Sequence, residues 1–163
     1  MFEEVRRKDR LLGHEEAIKL LEIGEYGFLA MAGKNGYGYG IPINFVKDRD
    51  ALYFHCAPEG YKLESIKENP CVSFCVVGRT HVLSGKFTTE YESVIVFGKM
   101  QLDLSKEERL RALRLLVQKY SPTFTAVGEK YIAGSFHRTA VMRLDIQHLS
   151  GKSKRDNEKI STI

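Results

Sequence analysis

The sequence predicts a small antiparallel β-barrel with flanking helices, an α+β fold of six strands. Three observations lead there. Six segments alternate in character with the period of a strand whose two faces meet different surroundings. Most of them are joined by glycine- or aspartate-bearing turns, which pair neighbours antiparallel; helical crossovers would pair them parallel. Six strands of such length expose two edges unless the sheet curls and closes. The 163 residues suit one domain, and 43% hydrophobic with 28% charged residues supplies a core. The domain is expected over 1–150, with a polar, frayed tail over 151–163.

The elements follow in order. "HEEAIKLLEIG" reads as a short helix with Ala17, Ile18, Leu20 and Leu21 inward and Gly24 as its stop. "GFLAMA" is the first strand, and "GKNG", Gly33 to Gly36, its hairpin turn. "YGYGIPINFV" returns as the second strand. Its glycines at 36, 38 and 40 leave one bare face, open to another backbone or a flat ligand, or else mark a bent barrel strand. "ALYFHC" is the third strand, and "YKLESIKEN" a helix that ends before Pro70. In the fourth, "CVSFCVV", Cys71, Ser73 and Cys75 share one face and Val72, Phe74 and Val76 the other. "GRTHVLSGKFTTE" reads as a loop of about a dozen residues, a length that in a compact domain often marks function. "YESVIVFGKMQLDL" is the fifth strand. "SKEERLRALRLLVQKY" is a helix opened by a Ser105–Glu108 capping box, with Leu110, Leu113, Leu116, Val117 and Tyr120 as its apolar stripe. "PTFTAVGEKYIAG" is a weaker helix, and "TAVMRLDIQHL" the sixth strand, with Ala140, Met142, Leu144 and Ile146 inward.

Composition excludes some classes of function. Net charge is +4, of which the tail supplies +2 (Lys152, Lys154, Arg155 and Lys159 against Asp156 and Glu158). No clustered basic stripe remains, so nucleic acid is not an expected partner, whereas a small anion is compatible. No apolar run reaches the ~20 residues of a membrane span, and the N-terminus lacks the apolar segment of a secretory signal, so a cytoplasmic protein is expected. The three cysteines, Cys56, Cys71 and Cys75, are an odd number and do not suggest a disulfide framework. Their spacing with His55 or His81 is poor for zinc, and no metal is expected.

The stretch "HCAPEGYKL" carries the chemistry. A strand ends near His55 and Cys56, and Ala57 to Gly60 form a turn. A helix begins at Tyr61. Its first N–H groups have no partner within the helix, and its dipole end is positive, so an anion is favoured there. Lys62 opposes that dipole and makes sense if an anion lies between it and the amides. The alternative is an ordinary strand–turn–helix with a first-turn lysine.

"YGIPINFVKDRDALYFHCAPEGYKLESIKENPCVSFCVVG", followed by "FTTEYESVIVFGKMQL", resembles the flavin-binding split-barrel proteins of the pyridoxamine 5′-phosphate oxidase superfamily, in particular their Nim-type nitroimidazole-resistance branch. The likeness spans most of the chain, and pairing of "YFHxAxxGxK" with "YxSVxxxG" makes it specific. It implies a six-stranded split barrel working as a homodimer, with FMN between the subunits. Pro42, Ile43 and Asn44 would pass along the flavin ring. His55, Cys56 and Ala57 would run beside the ribityl chain and phosphate, Tyr61 and Lys62 would hold the phosphate, and Ser93 and Val94 would complete the groove. Tyr61 stands where many members carry a basic residue. The chain also lacks the paired basic residues that pyridoxamine phosphate oxidases carry on the second strand. The implied reaction is therefore reduction of a small electron-poor substrate such as a nitroaromatic, with His55 as proton donor or as a hydrogen-bond partner of cofactor or backbone. A flavin-binding protein without turnover and a haem-binding split barrel are the competing readings.

Overall fold

A computed structural model describes residues 2–155. Among them, eight strands form one antiparallel sheet: β1 (Leu11–Leu12), β2 (Tyr26–Ala32), β3 (Gly38–Asn44), β4 (Val46–Asp48), β5 (Ala51–Cys56), β6 (Cys71–Leu83), β7 (Thr88–Gln101) and β8 (Ala140–Lys154). The helices are α1 (His14–Ile23), α2 (Tyr61–Glu68), α3 (Lys106–Tyr120) and α4 (Thr125–Ser135). Strand order is β3-β2-β6-β7-β8-β5-β4, with β1 on β8. The curled sheet and flanking helices are the architecture of a split barrel.

Eight strands replace the six predicted, for two reasons. The second predicted strand breaks at Phe45, whose fully buried ring plugs the barrel against Phe74, centroids 4.8 Å apart. β3 ends before this residue and β4 begins after it. β1 is only two residues long, below the length at which alternation can be read.

The predicted loop over "GRTHVLSGKFTTE" is instead the end of a long hairpin. Thr80 pairs with Tyr91 and Leu83 with Thr88, and a 3₁₀ turn over Ser84–Lys86 closes it. Both faces of this arm are largely exposed, so its residues carry no inside–outside alternation. β8 runs to Lys154, into the stretch read as tail, because Leu12 and Leu11 pair with Gly151 and Lys152. Residues 156–163 of that tail lie outside the described residues.

The alternation along β5 separates two apolar clusters. Leu52 and Phe54 face the barrel interior with Leu29, Phe74, Val94 and Met142. Ala51 and Tyr53 face outward with Val46 and Val141, where Leu113, Leu116 and Ile132 of α3 and α4 cover them. The Ser105–Glu108 capping box forms only in half: Ser105 Oγ accepts from the Glu108 N–H at 3.1 Å. The Glu108 carboxylate turns instead to the sheet, accepting from Tyr53 OH at 2.9 Å and from Arg143 Nη1 at 2.7 Å.

These bonds tie α3 to β5 and β8 and hold the Glu108 carboxyl below its usual range, chiefly through the hydrogen bond from Arg143. A carboxyl with a depressed folded pKa contributes stability above its unfolded pKa and loses it as pH falls through the folded value. Glu108→Gln should therefore cost about 1 kcal/mol at neutral pH, discounted for partial exposure. Thermal melts taken from neutral pH down through the carboxylate range should show the gap to wild type narrowing. A gap that stays constant would remove Glu108 from the acid response.

Candidate functional site

The chain from β5 to α2 folds as its local chemistry dictates. Gly60 takes φ = 128°, in a region that side-chain-bearing residues rarely adopt, and so turns the chain directly into α2. No side chain caps this helix. The N–H groups of Leu63 and Glu64 return to Gly60 O at 3.0 and 3.2 Å, so those of Tyr61 and Lys62 point out of the helix end. Space beside Gly60 is open: a Cβ built there meets nothing within 4 Å.

Lys62 is half-buried, and no carboxylate pairs with it among the described residues. The acids of α2 are engaged elsewhere: Glu64 and Glu68 lie 3.1 and 3.3 Å from Lys34 on the β2–β3 turn. Tyr61 leans on the same turn, its ring edge-on to Tyr39 at 5.0 Å and its hydroxyl 3.5 Å from Asn35 Oδ1. These contacts dock the start of α2 on the β2–β3 hairpin.

His55 and Cys56 point to opposite faces of β5. Cys56 packs at the rim of the barrel interior. Burial raises its thiol pKa, opposed by the charge of Lys62 and a hydrogen bond with it. His55 takes the outward face that Tyr53 also occupies. Burial by its neighbours lowers its pKa, and the Lys62 charge lowers it further, so a neutral ring is favoured near pH 7. Ala57 follows β5 and is exposed.

Pro42 and Asn44 lie on the exposed face of edge strand β3, and Ile43 turns inward onto the core. The face that Pro42 shares with Gly38 and Gly40 is bare: an added Cβ at Gly38 meets nothing within 4 Å, and at Gly40 only Leu29 O at 3.9 Å. Asn44 Nδ2 donates to Glu25 O at 3.0 Å. Asn44 and His55 border one cavity of about 320 Å³.

His55, Cys56 and Lys62 are thus gathered by a single segment, while Ser93 and Val94 stand on other rungs. His55 pairs with Val141 on β8, and Ser93 with Lys152, far along the same strand. Ser93 is half-buried on the outer face; the Val94 side chain is fully buried in the core and could meet a ligand only through its backbone. Sequence reasoning did not find Asn35 beside Tyr61, nor the cavity walls on α3 and α4. The one local signal was Tyr120, a polar tip ending an apolar stripe. No cluster of three or more His, Cys, Asp or Glu among the described residues is placed to hold a metal. No helix among them is long and apolar enough to cross a membrane.

Residues 13–153 match the sequence profile of the family described as pyridoxamine 5′-phosphate oxidase. The chain belongs to that family. Among the solved structures that resemble this oxidase-family chain is a candidate 5-nitroimidazole antibiotic resistance protein from Bacteroides thetaiotaomicron, with a TM-score of 0.70 and 20% identity, covering 88% of this chain and 86% of that one. An FAD-binding protein from Mesorhizobium loti matches with a TM-score of 0.65 and 24% identity over 90% and 98% of the two chains. A flavocytochrome from Azotobacter vinelandii matches with a TM-score of 0.75 and 20% identity over 94% and 73%. At these identities the likeness establishes the split-barrel fold of this family member. No curated protein is significantly similar in sequence.

Proposed function

We propose that the protein is a homodimeric, cytoplasmic FMN-binding oxidoreductase that reduces small electron-poor substrates, nitroaromatics among them. The observation that carries this is the uncapped start of α2, where the outward amides of Tyr61 and Lys62 border open space and the Lys62 ammonium, without a carboxylate partner among the described residues, acts on Cys56 and His55 at the end of β5. A phosphate monoester, with close to two negative charges and several acceptor oxygens, fits that donor set.

The amides of Tyr61 and Lys62 and the Lys62 ammonium would hold the phosphate. His55, Cys56 and Ala57 would flank the ribityl chain, and Pro42, Ile43 and Asn44 would lie along the ring, on the strand face that glycine leaves bare. Flavin, when bound, supplies reversible two-electron chemistry. A neutral His55 offers one N–H to donate and one lone pair to accept, which suits it to orient a substrate oxygen by a hydrogen bond; proton transfer to that oxygen would draw on the imidazolium form, which returns to the neutral ring.

A second copy of the chain is supported by the outer face of the sheet. Tyr26, Phe28, Val77, Ile95 and Phe97 lie exposed on the adjacent strands β2, β6 and β7. A contiguous apolar patch of this kind favours a partner surface. Ser93 stands on the same face, so a dimer formed there would bring it into a shared groove.

The test is spectroscopic. Purified protein, or protein loaded with FMN, should show flavin absorption bands; a Soret band without them would point to haem and overturn the reading. Reduced nicotinamide followed by a nitroaromatic in a stopped-flow instrument should give flavin reoxidation that depends on nitroaromatic concentration. Reoxidation by oxygen alone would leave a flavin carrier without this turnover.

A further inference from the structure

The cavity bordered by Asn44 and His55 touches the proposed flavin site at those two residues, and its remaining walls come from a different part of the chain, α3, α4 and the turns that follow them. Its walls are apolar: Leu113, Leu116 and Val117 from α3, and Tyr131 and Ile132 from α4. Its volume, about 320 Å³, is at the small end of ligand sites. That is room for one substituted ring and too little for a dinucleotide.

The polar groups at its edge are nearly all occupied. Ser135 Oγ donates to Tyr131 O at 2.8 Å, and Thr139 Oγ1 to Ser135 O at 2.9 Å. Tyr120 OH lies 2.6 Å from Glu25 O and 2.7 Å from Phe45 O, and accepts from the Phe45 N–H at 3.0 Å. Asn44 uses its amide nitrogen on Glu25 O and keeps its oxygen. The His55 ring enters no side-chain hydrogen bond among the described residues, and the alternation of β5 directs it to this outward side. The cleft therefore offers apolar walls with the exposed imidazole of His55 at its border and no charged side chain in its lining.

We propose that this cleft between α3, α4 and the end of β5 is a binding subsite for an uncharged, planar, single-ring compound, oriented by a hydrogen bond with His55. Its role as the acceptor subsite rests on the flavin reading; its capacity to bind such a ring does not. A charged ring would surrender hydration to walls that carry no ion of their own, so the site discriminates by charge as well as by size.

Nitrobenzene and 4-nitrobenzoate serve as probes in titrations followed by methyl NMR, with and without FMN. Nitrobenzene should shift the methyl signals of Val117, Leu116 and Ile132 saturably, and 4-nitrobenzoate should bind about tenfold more weakly or worse. Val117→Phe, which fills the cleft, should weaken nitrobenzene about tenfold while leaving FMN affinity unchanged. Tyr131 is 71% exposed, so Tyr131→Ala keeps the fold intact while removing one wall, and should weaken nitrobenzene about threefold. Absence of saturable shifts, equal binding of the two probes, or indifference to both substitutions would overturn the proposal. If the cleft titrates but FMN does not bind, the subsite stands and the flavin reading falls. If FMN binds and the cleft stays silent, the subsite falls alone.

Discussion

Replacing Lys62 with alanine is expected to weaken FMN binding about 10- to 150-fold, corresponding to about 1.5–3 kcal/mol for one charge-assisted hydrogen bond. The magnitude follows from the surroundings of the ammonium. It is half-buried, so water screens it less than a surface lysine. It has no carboxylate partner among the described residues to compete with the phosphate. Tyr61, at the preceding position, brings no second positive charge, so the loss is not shared. Riboflavin, which lacks the phosphate, provides the control: its affinity should be the same for wild type and Lys62→Ala. Titrations followed by flavin fluorescence at low salt read both constants. Equal FMN affinity of the two proteins would place the phosphate elsewhere.

The second large effect concerns stability. Gly98 lies on β7 where the pairing with β8 shifts: Phe97 pairs with His148 and Gly98 with Ile146. A Cβ at Gly98 would stand 2.0 Å from Asp145 O and 2.9 Å from Leu144 Cδ1. The first of these is backbone and cannot rotate away, so the two strands must separate or the register must move. Gly98→Ala should cost about 3 kcal/mol, the upper end of the usual overpacking range. For a domain of this size that lowers Tm by roughly 6–12 °C. Gly38→Ala is the matched control, because its Cβ meets nothing within 4 Å. Its melting point should stay within about 2 °C of wild type. Similar losses at both positions would mean that β7 and β8 do not approach as closely as described.

Much of the fold was legible because the barrel wall gives neighbouring residues opposite surroundings. Val72, Phe74 and Val76 face the core and Cys71, Ser73 and Cys75 face away, as their alternation predicts. That signal vanishes where both faces meet solvent, as in the arm around Val82 and Phe87. It also fails at Phe45, where one buried ring ends a strand that the pattern would have continued. The gathering of the candidate residues at the end of β5 was legible for a different reason. His55, Cys56, Gly60 and Lys62 are neighbours in sequence, and a strand, a turn and a helix start suffice to assemble them. The cleft was not, because Leu113, Leu116 and Val117 read as a helix's core stripe. Periodicity reports which side of a helix is apolar, and cannot tell a filled interface from one that leaves a gap. Glu108 illustrates the same limit: its spacing from Ser105 fits a local cap, yet Tyr53 and Arg143 are distant in sequence and claim its carboxylate.

The helical pair α3 and α4 leaves the sheet after Gln101 and rejoins it at Ala140, between two strands that are themselves partners through Gln101 and Arg143. The sheet is thus continuous beneath the excursion. Closing a longer or shorter excursion changes chain entropy only slowly with length. Descent can therefore remodel this appendage, lengthening, trimming or reshaping it, without unpicking the seam below. Variation in the helical appendage is in this way decoupled from inheritance of the strand, turn and helix start that join β5 to α2.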